Sequence, residues 1–293
     1  MELRVLRYFL TVAREQTISG AAQTLHLSQP TLSRQMLDLE EELGVTLFLR
    51  GNRKITLTEE GMLLRKRAEQ ISDLVRKTEE DLAAAEDAVR GTICIGAGES
   101  HTFRTLAKSI RELLTDQPGI RIDLFSGNAE DVTERLDKGL LDFGLLIEPT
   151  DVSTYDYLRL PVADRWGLIM RKDSPLAALD AIQPEDLKDL PLVYSRRALQ
   201  GGQLSSWLQT PLEKLNLVAS YNLIYNASLL VEEGVGYAFS LEHLVETMGS
   251  SRLCFRPLKP TLESQVHLVW KKFQIFSRPS ELFLEKIRAS LPG

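Results

Sequence analysis

Residues 26–44, HLSQPTLSRQMLDLEEELG, decide the fold of the amino-terminal region. The stretch opens with small polar residues and one arginine, and it then becomes an amphipathic acidic segment. Ser28 is of the residue type that caps a helix N-terminus, and Pro30 falls in the first turn, where its missing N–H costs nothing. Gly44 can adopt the left-handed conformation that ends a helix. The stretch therefore predicts a helix from Ser28 to about Glu42 with a polar first half.

Two further helices precede this one, and two short strands follow it. Apolar residues recur at helical spacing over residues 3–14, and SGAAQTLH predicts a second helix with Ser19 as a candidate N-cap. TLFLR and KITLT are β-prone segments around RGNR, which has the composition of a tight turn. Three short helices followed by a β-hairpin wing form a winged helix-turn-helix, in which the later helix enters the major groove of DNA.

The composition is that of an ordinary globular protein. The chain has 293 residues, of which 43% are hydrophobic and 26% are charged, and its formal net charge is −6. That length predicts two or three domains. Because the total charge is acidic, any basic surface for nucleic acid must be small and local.

The amino-terminus and the cysteines indicate where the protein works. Cys94 and Cys254 lie singly in apolar runs, which is typical of reduced, buried thiols and not of a disulfide framework. The amino-terminus has no apolar leader run, and no stretch of the sequence reaches the apolar length of a membrane span. We therefore expect a cytoplasmic protein with no membrane partner.

The segment from Thr58 to Val89 has no proline and carries a heptad pattern. Its apolar positions are spaced alternately four and three apart, as in the seam between paired helices. The predicted dimerisation residues are Leu64, Ala68, Ile71, Val75, Thr78 and Leu82. We predict a linker and dimerisation helix over residues 59–90; an amphipathic helix lying on its own domain is the alternative.

After Gly91, segments typical of strands and helices alternate, which predicts an α/β fold with mostly parallel sheets. One series runs from TICIGAG to LDFGLLIE, and a second runs from WGLIMRK to GYAFS. Within the second series, PEDLKDL and residues 204–215 predict helices. QVHLVWKK and a final helix would return to the first lobe. Two lobes, about 91–161 with 266–293 and about 162–265, would enclose a ligand cleft.

Read together, ISGAAQTLHLSQPTLSRQMLDLEEELGVTLFLR resembles the DNA-binding module of LysR-type transcriptional regulators. The AA pair, the SQPTLSRQ run, the LEEELG run and the LF·R close follow in family order, although many members carry a polar residue where this chain has Leu49. The resemblance implies a winged helix-turn-helix over 1–58, a linker helix over 59–90, and an effector-binding domain of the periplasmic-binding-protein type over 91–293. It also implies self-association as a dimer or tetramer through paired linker helices.

The resemblance places the polar half of the predicted helix in the groove and the wing against phosphates. Arginine can donate two hydrogen bonds to guanine, glutamine can pair with adenine, and basic wing residues can contact phosphate without reading sequence. The predicted DNA-binding residues are Ser28, Gln29, Pro30, Thr31, Ser33, Arg34, Gln35, Arg50, Arg53 and Lys54. A solvated charged turn on a helical domain that binds no nucleic acid is the alternative for this cluster.

In two-lobed folds of this type the ligand lies at the carboxyl ends of strands, beside helix N-termini. The predicted effector-binding residues are Ser100, His101, Thr102, Gly127, Asn128, Ile147, Glu148, Ser195, Arg196 and Asn226. Ser100 and Thr102 could serve only as helix caps, and Arg196 could either pair with a ligand carboxylate or remain solvated. Glu148 would instead favour an amine or a hydroxyl, so the sequence leaves the charge of the effector open.

No enzyme signature in the sequence is complete. GESHT approaches a nucleophile elbow, but Thr102 stands where the second glycine belongs. His243 and His267 lie downstream without a distinguishing context, and alternation with apolar residues predicts that His267 belongs to the core. The sequence has no Walker, dinucleotide or paired-cysteine metal pattern, so we predict no enzyme, no cofactor and no metal.

We therefore predict a sequence-specific transcriptional regulator controlled by a small molecule bound between the lobes. Its expected partners are double-stranded DNA, the effector, further copies of the chain and RNA polymerase. A small-molecule-binding protein that uses the helical module only for assembly is the alternative, and a hydrolase built on Ser100 is a third interpretation.

Overall fold

The computed structural model describes residues 1–51, 54–82, 89–200 and 203–291. The chain forms two compact units, Met1–Ala83 and Ala84–Gly293. The first unit combines helices with a β-hairpin, and the second is an α/β domain with two larger sheets. The predicted fold class, a winged helix-turn-helix with a following long helix and a two-lobed α/β domain, is confirmed.

The first unit packs its helices and its hairpin around one apolar core. Its elements are α1 (Leu3–Glu15), α2 (Ile18–Thr24), α3 (Gln29–Leu43), β1 (Phe48–Arg50), β2 (Ile55–Leu57) and α4 (Glu59–Leu82). The strands pair antiparallel, with Leu49 opposite Thr56. The rings of Phe9 and Phe48 lie 5.3 Å apart, so that the wing is packed directly onto α1.

Helix α3 begins and ends where the sequence predicts. The Ser28 hydroxyl accepts a hydrogen bond from the Thr31 backbone N–H, Pro30 lies in the first turn, and Gly44 has a φ of 68°. Helix α2, by contrast, is capped by Thr17 and not by the predicted Ser19, because Thr17 has the extended backbone of an N-cap and accepts from the Gly20 N–H.

Helix α4 contributes its first half to the core of its own unit. Ala68 is fully buried there, and Leu64 and Ile71 pack against the same core. Ala68 therefore has no surface left for a partner helix, which corrects its predicted place in a dimerisation seam. Val75 is half-buried and Thr78 is exposed, while the Leu82 side chain and residues 83–88 lie outside the described part of the chain.

The second unit alternates strands and helices throughout. Its strands are β3 (Gly91–Ala97), β4 (Ile120–Ser126), β5 (Phe143–Ile147), β6 (Tyr155–Arg159), β7 (Asp164–Arg171), β8 (Leu192–Ser195), β9 (Leu217–Tyr221), β10 (Tyr237–Leu241), β11 (Leu253–Pro257), β12 (Glu263–Ser264) and β13 (Val266–Lys271). Its α-helices in the described ranges are α5 (Phe103–Asp116), α6 (Ala129–Asp137), α7 (Arg196–Gln200), α8 (Gln203–Leu208), α9 (Ile224–Glu232) and α10 (Arg278–Ser290).

The strands form two sheets, each the centre of one lobe. Lobe I has the strand order β4-β3-β5-β13-β6, in which β3 pairs parallel with β4 and β5, and β13 returns antiparallel between β5 and β6. Lobe II has the order β11-β7-β10-β8-β9, with β12 beside β7. The chain crosses from lobe I to lobe II between β6 and β7 and returns between β12 and β13. The predicted return of QVHLVWKK to the first lobe is confirmed.

Two predicted helices of lobe II are shorter than the sequence suggests. PEDLKDL forms only a 3-10 turn over Pro184–Leu187. The predicted helix over 204–215 is α8 followed by a separate 3-10 turn, Leu212–Lys214, because Pro211 offers no N–H and interrupts a helix. The sequence also did not reveal α7, which begins at Arg196 directly after β8.

Cys94 and Cys254 are free and buried, as predicted. Burial raises the pKa of the Cys254 thiol, which keeps it protonated. Among the described residues, no helix is long and apolar enough to cross a membrane. The same ranges contain no cluster of three or more histidine, cysteine or acidic side chains that could hold a metal ion.

Candidate functional site

The first candidate surface is the polar half of α3. Ser28, Gln29, Pro30, Thr31 and Arg34 are exposed there, and Ser33 and Gln35 are half-buried. Buried side chains at helical spacing on the other side of α3 hold the helix to the core. The polar face is therefore presented to solvent on a fixed helix.

Arg34 and Gln29 are available for a partner, and Ser28 and Thr31 are partly engaged already. Within the described part of the chain, neither the Arg34 guanidinium nor the Gln29 amide makes a side-chain hydrogen bond or an ion pair. The hydroxyls of Ser28 and Thr31 lie 2.7 Å apart, and Ser28 also caps the helix. Ser28 therefore positions the polar face whatever else it contacts.

The wing presents a basic residue beside this helix. Lys54 is exposed at the start of β2, and Arg50 pairs with Ile55 in the hairpin. The Arg50 side chain and the whole of Arg53, both predicted to bind DNA, lie outside the described part of the chain.

Glu40 fixes the wing to α3, a role that sequence reasoning missed. Its Oε1 accepts hydrogen bonds from the backbone N–H groups of Leu47 (2.6 Å) and Phe48 (3.2 Å). Glu42 forms an ion pair with the amino-terminus of Met1. Acidic side chains in the second half of α3 therefore bind neighbouring segments of the chain. Their spacing in the sequence does not indicate these contacts.

The second candidate site is a cavity of about 450 Å³ between the two lobes of the second unit. Its walls are the carboxyl ends of strands and the loops that lead into α6, α7 and α9, the location expected for a ligand in α/β folds. The predicted residues that line it are Gly127, Asn128, Ile147, Glu148, Ser195 and Arg196.

The other predicted effector residues lie elsewhere. Ser100, His101 and Thr102 precede α5 at the crossing between the lobes, and Asn226 is exposed on α9 outside the cavity lining. The Ser100 and Thr102 hydroxyls donate to the carboxylate of Asp164, a residue that is 4% exposed. Thr102 stands at the N-cap position of α5, but its side chain makes no cap hydrogen bond, which corrects the predicted cap.

The histidines do not complete a catalytic site around Ser100. The ring of His101 packs against that of His243 from lobe II at 4.7 Å, and His267 is buried against Tyr157. Burial lowers the pKa of His267. Within the described ranges, no histidine forms a hydrogen bond with the Ser100 hydroxyl, which donates to the Asp164 carboxylate instead.

Asn128 has a structural role at the cavity wall. Its side-chain oxygen accepts from the Asp131 N–H, and the Asp131 carboxylate accepts from the Asn128 N–H, which together form a capping box for α6. Across the cavity, an Arg196 nitrogen lies 3.4 Å from the Ser220 hydroxyl, so this arginine is only weakly held.

Sequence reasoning missed most of the cavity lining, including three side chains whose hydrogen bonds are defined. Glu99 reaches from lobe I to accept a hydrogen bond from the Ile224 N–H at the start of α9 (2.7 Å). The Trp166 indole donates to Ser264 (2.9 Å), and the Tyr221 hydroxyl donates to the backbone oxygen of Phe239. Burial, with a smaller contribution from Glu99, raises the pKa of Tyr221. The position of Glu99 directly after a strand was the one available signal. Trp166 and Tyr221 lie in apolar patterns that predict core residues.

Comparison with known proteins identifies both units. Residues 3–62 match the family described as bacterial regulatory helix-turn-helix protein, lysR family, and residues 86–292 match the LysR substrate binding domain. The chain is 26% identical over 287 residues to YvbU of Bacillus subtilis, an uncharacterized HTH-type transcriptional regulator, with 97% of each chain covered. It is 30% identical over 278 residues to HcaR of Escherichia coli, the Hca operon transcriptional activator, covering 93% of this chain and 92% of that one.

Solved structures agree with these matches at the level of the fold. The crystal structure of CbnR, a LysR family transcriptional regulator, has a TM-score of 0.78 at 21% identity and covers 100% of both chains. Full-length CbnR in complex with its target DNA has a TM-score of 0.76 at 21% identity, covering 99% of this chain and 100% of that one. The relatives named here are regulators and not enzymes, in agreement with the prediction. Because the two family matches together account for both units, the chain belongs to the LysR family of DNA-binding transcriptional regulators.

Proposed function

We propose that the polar first half of α3 reads base edges in the major groove of an operator and that the wing contacts phosphates. The observation that carries this proposal is Arg34, which is exposed on the same polar half of α3 as Gln29 and has no competing side-chain partner among the described residues. An arginine in that position can donate two hydrogen bonds to guanine. Ser28, Thr31, Ser33 and Gln35 would complete the contact surface, with Lys54, Arg50 and Arg53 on the wing.

Replacing Arg34 with alanine tests this assignment. If Arg34 reads a base, operator affinity falls by about 1–3 kcal/mol and the preference at one base-pair position relaxes. Arg111→Ala removes an exposed arginine of α5 in the second unit and serves as the matched control, with operator affinity retained. An equal loss of affinity on every DNA sequence would instead make Arg34 a phosphate contact.

We further propose that the chain self-associates through the second half of α4. Val75, Thr78 and Leu82 lie on this half, and the half-buried Leu64 and Ile71 would extend the seam, whereas Ala68 is fully buried in its own unit. Leu74 is 44% exposed on the same half of the helix. Pairing would place two copies of α3 on half-sites one helical turn of DNA apart or a multiple of it.

The cavity between the lobes is proposed as the effector site, with Gly127, Asn128, Ile147, Glu148, Ser195 and Arg196 among its contacts. A ligand that binds one degree of lobe closure better than another shifts the population towards that state, and only by its differential affinity. That shift would change how the paired DNA-binding modules meet the operator and, in the cytoplasm, whether they engage RNA polymerase. HcaR is described as a transcriptional activator, and by analogy we propose that this chain acts on transcription through contact with the polymerase.

A further inference from the structure

We propose that the effector of this regulator is an organic cation, an amine with an apolar body, whose charged group binds the carboxylate of Glu148. The inference rests on the proposed function of the cavity between the lobes. It narrows the ligand to one chemical class, which the sequence leaves open.

The charged side chains that line the cavity are mostly acidic. Glu99, Glu130 and Glu148 contribute three carboxylates, whereas Arg196 is the one cationic side chain of the lining within the described part of the chain. Arg196 and Glu130 are both exposed, so that solvent screens their charges, whereas Glu99 and Glu148 are half-buried. A cleft lined by one sign of charge between low-dielectric walls concentrates ligands of the opposite sign. The cavity therefore favours a cation over a carboxylate.

One natural position for an anion, the start of α9, is already occupied by the protein. Helix N-termini bind anions through their free N–H groups and the helix dipole. At the start of α9 this position holds the carboxylate of Glu99, which accepts the Ile224 N–H at 2.7 Å. An anionic effector at the start of α9 would have to displace Glu99, and anywhere in the cavity it would meet the charge of Glu148.

Glu148 is the acidic group left for a ligand. Its side chain is half-buried at the end of β5, and its backbone N–H is held by the Gln265 carbonyl at 2.9 Å. None of the described residues forms a hydrogen bond or an ion pair with its carboxylate. His267 lies close enough for Glu148 to act on its pKa, but burial lowers that pKa more strongly, so the imidazole is neutral and does not compensate the charge.

The remaining walls fit an apolar body. Leu145, Ile147, Leu241 and Leu244 line the cavity. The polar atoms of Trp166 and Tyr221 are bound within the protein, which leaves their rings for contact with a ligand. Aromatic faces also attract cations. A volume of about 450 Å³ lies within the range of pockets that hold small organic ligands.

The test uses three probes of matched shape on the full chain: 2-phenylethylamine, 3-phenylpropionate and 2-phenylethanol. Affinities are measured by ligand-observed NMR, which detects millimolar binding. We expect the amine to bind at least about tenfold more tightly than the carboxylate. In Glu148→Gln the amine should lose about 10-fold to 100-fold and approach the alcohol, as expected for one charge-assisted hydrogen bond. Glu185→Gln, an exposed glutamate of lobe II outside the cavity, should keep the amine preference.

Three results would overturn the proposal. They are a higher affinity for the carboxylate than for the amine, the same affinity for all three probes (including no detectable binding of any), or an unchanged affinity for the amine in Glu148→Gln. Thermal unfolding verifies that the variant folds, and Glu148→Asp, which keeps the charge, should retain part of the preference. Operator binding is measured on the same samples. Absence of operator binding would contradict the proposed function of the first unit. The chemical class of the effector is decided only by the affinities of the three probes.

Discussion

Loss of the Asp164 side chain should weaken the second unit. Asp164 is the first residue of β7, where the chain has just crossed into lobe II, and it is 4% exposed. Its carboxylate accepts from the Ser100 hydroxyl, from the Thr102 hydroxyl at 2.9 Å and from the Thr102 N–H at 3.3 Å. Ser100 and Thr102 follow β3, so this one side chain fastens lobe I to the start of lobe II.

The size of the effect follows from what the substitution leaves behind. Asp164→Ala removes a buried acceptor and leaves two hydroxyls to find new partners, while the Thr102 N–H keeps its hydrogen bond to the Ser100 Oγ at 3.0 Å. An unsatisfied buried polar group costs about 1–3 kcal/mol, but hydroxyls can rotate and the desolvation of the carboxylate is no longer required. We therefore expect the free energy of unfolding to fall by about 2–4 kcal/mol. Asp164→Asn keeps one acceptor oxygen and should lose about half as much.

Urea denaturation followed by tryptophan fluorescence measures this directly. The three tryptophans, Trp166, Trp207 and Trp270, all lie in the second unit, so the signal reports on the lobes and not on the helix-turn-helix. Asp180→Ala removes an exposed aspartate of lobe II and should change stability by less than about 0.5 kcal/mol. If Asp164→Ala behaved like this control, the assignment of Asp164 as the fastening between the lobes would be refuted.

Three further predictions concern the first unit and the pH response. Glu40→Ala removes the acceptor for two wing amides and should lower the free energy of unfolding of the first unit by about 1–3 kcal/mol. Glu40→Gln keeps an acceptor oxygen and should lose less. Circular dichroism during thermal unfolding compares the two variants, and equal losses would contradict the contact. Ala68→Leu overpacks the core of the first unit and should lower its free energy of unfolding by about 1–3 kcal/mol without changing the oligomeric mass. Val75→Asp should lower that mass. Both masses are measured by light scattering, and a changed mass in the Ala68 variant would return Ala68 to the dimerisation seam. Burial lowers the pKa of His267, so the unfolded chain binds more protons than the folded one from about pH 6.5 down to the lowered pKa. The free energy of unfolding should therefore fall as the pH drops through this range, and His267→Gln should flatten the dependence. An unchanged slope would contradict the assignment.

Signals that act within a few residues were readable from the sequence. Ser28, Pro30 and Gly44 determine the start and the end of α3 through local backbone chemistry, and the structure has each of them in its predicted role. The Ser19 cap failed because Thr17, two residues earlier, competes for the same role, and Gly20 leaves room for it: a Cβ there would lie 2.7 Å from the Thr17 hydroxyl.

Contacts between distant parts of the chain were not readable. Asp164 meets Thr102 across 62 residues, and Glu99 meets Ile224 across 125, and neither partner carries a local pattern that predicts the other. The helical spacing that suggested a seam at Ala68 is equally the spacing of a helix packed on its own domain. Which of the two holds depends on tertiary packing, because periodicity defines a face and not what covers it.

The central claim is that α3 reads a particular DNA sequence, and one measurement tests it most directly. The purified protein is titrated with the DNA upstream of its own gene and with a scrambled duplex of the same composition, across a series of salt concentrations. The account predicts a preference of at least about 10³ for the upstream site, together with a steep fall of affinity as salt rises. Weak binding that treats both duplexes alike at every salt concentration would contradict it.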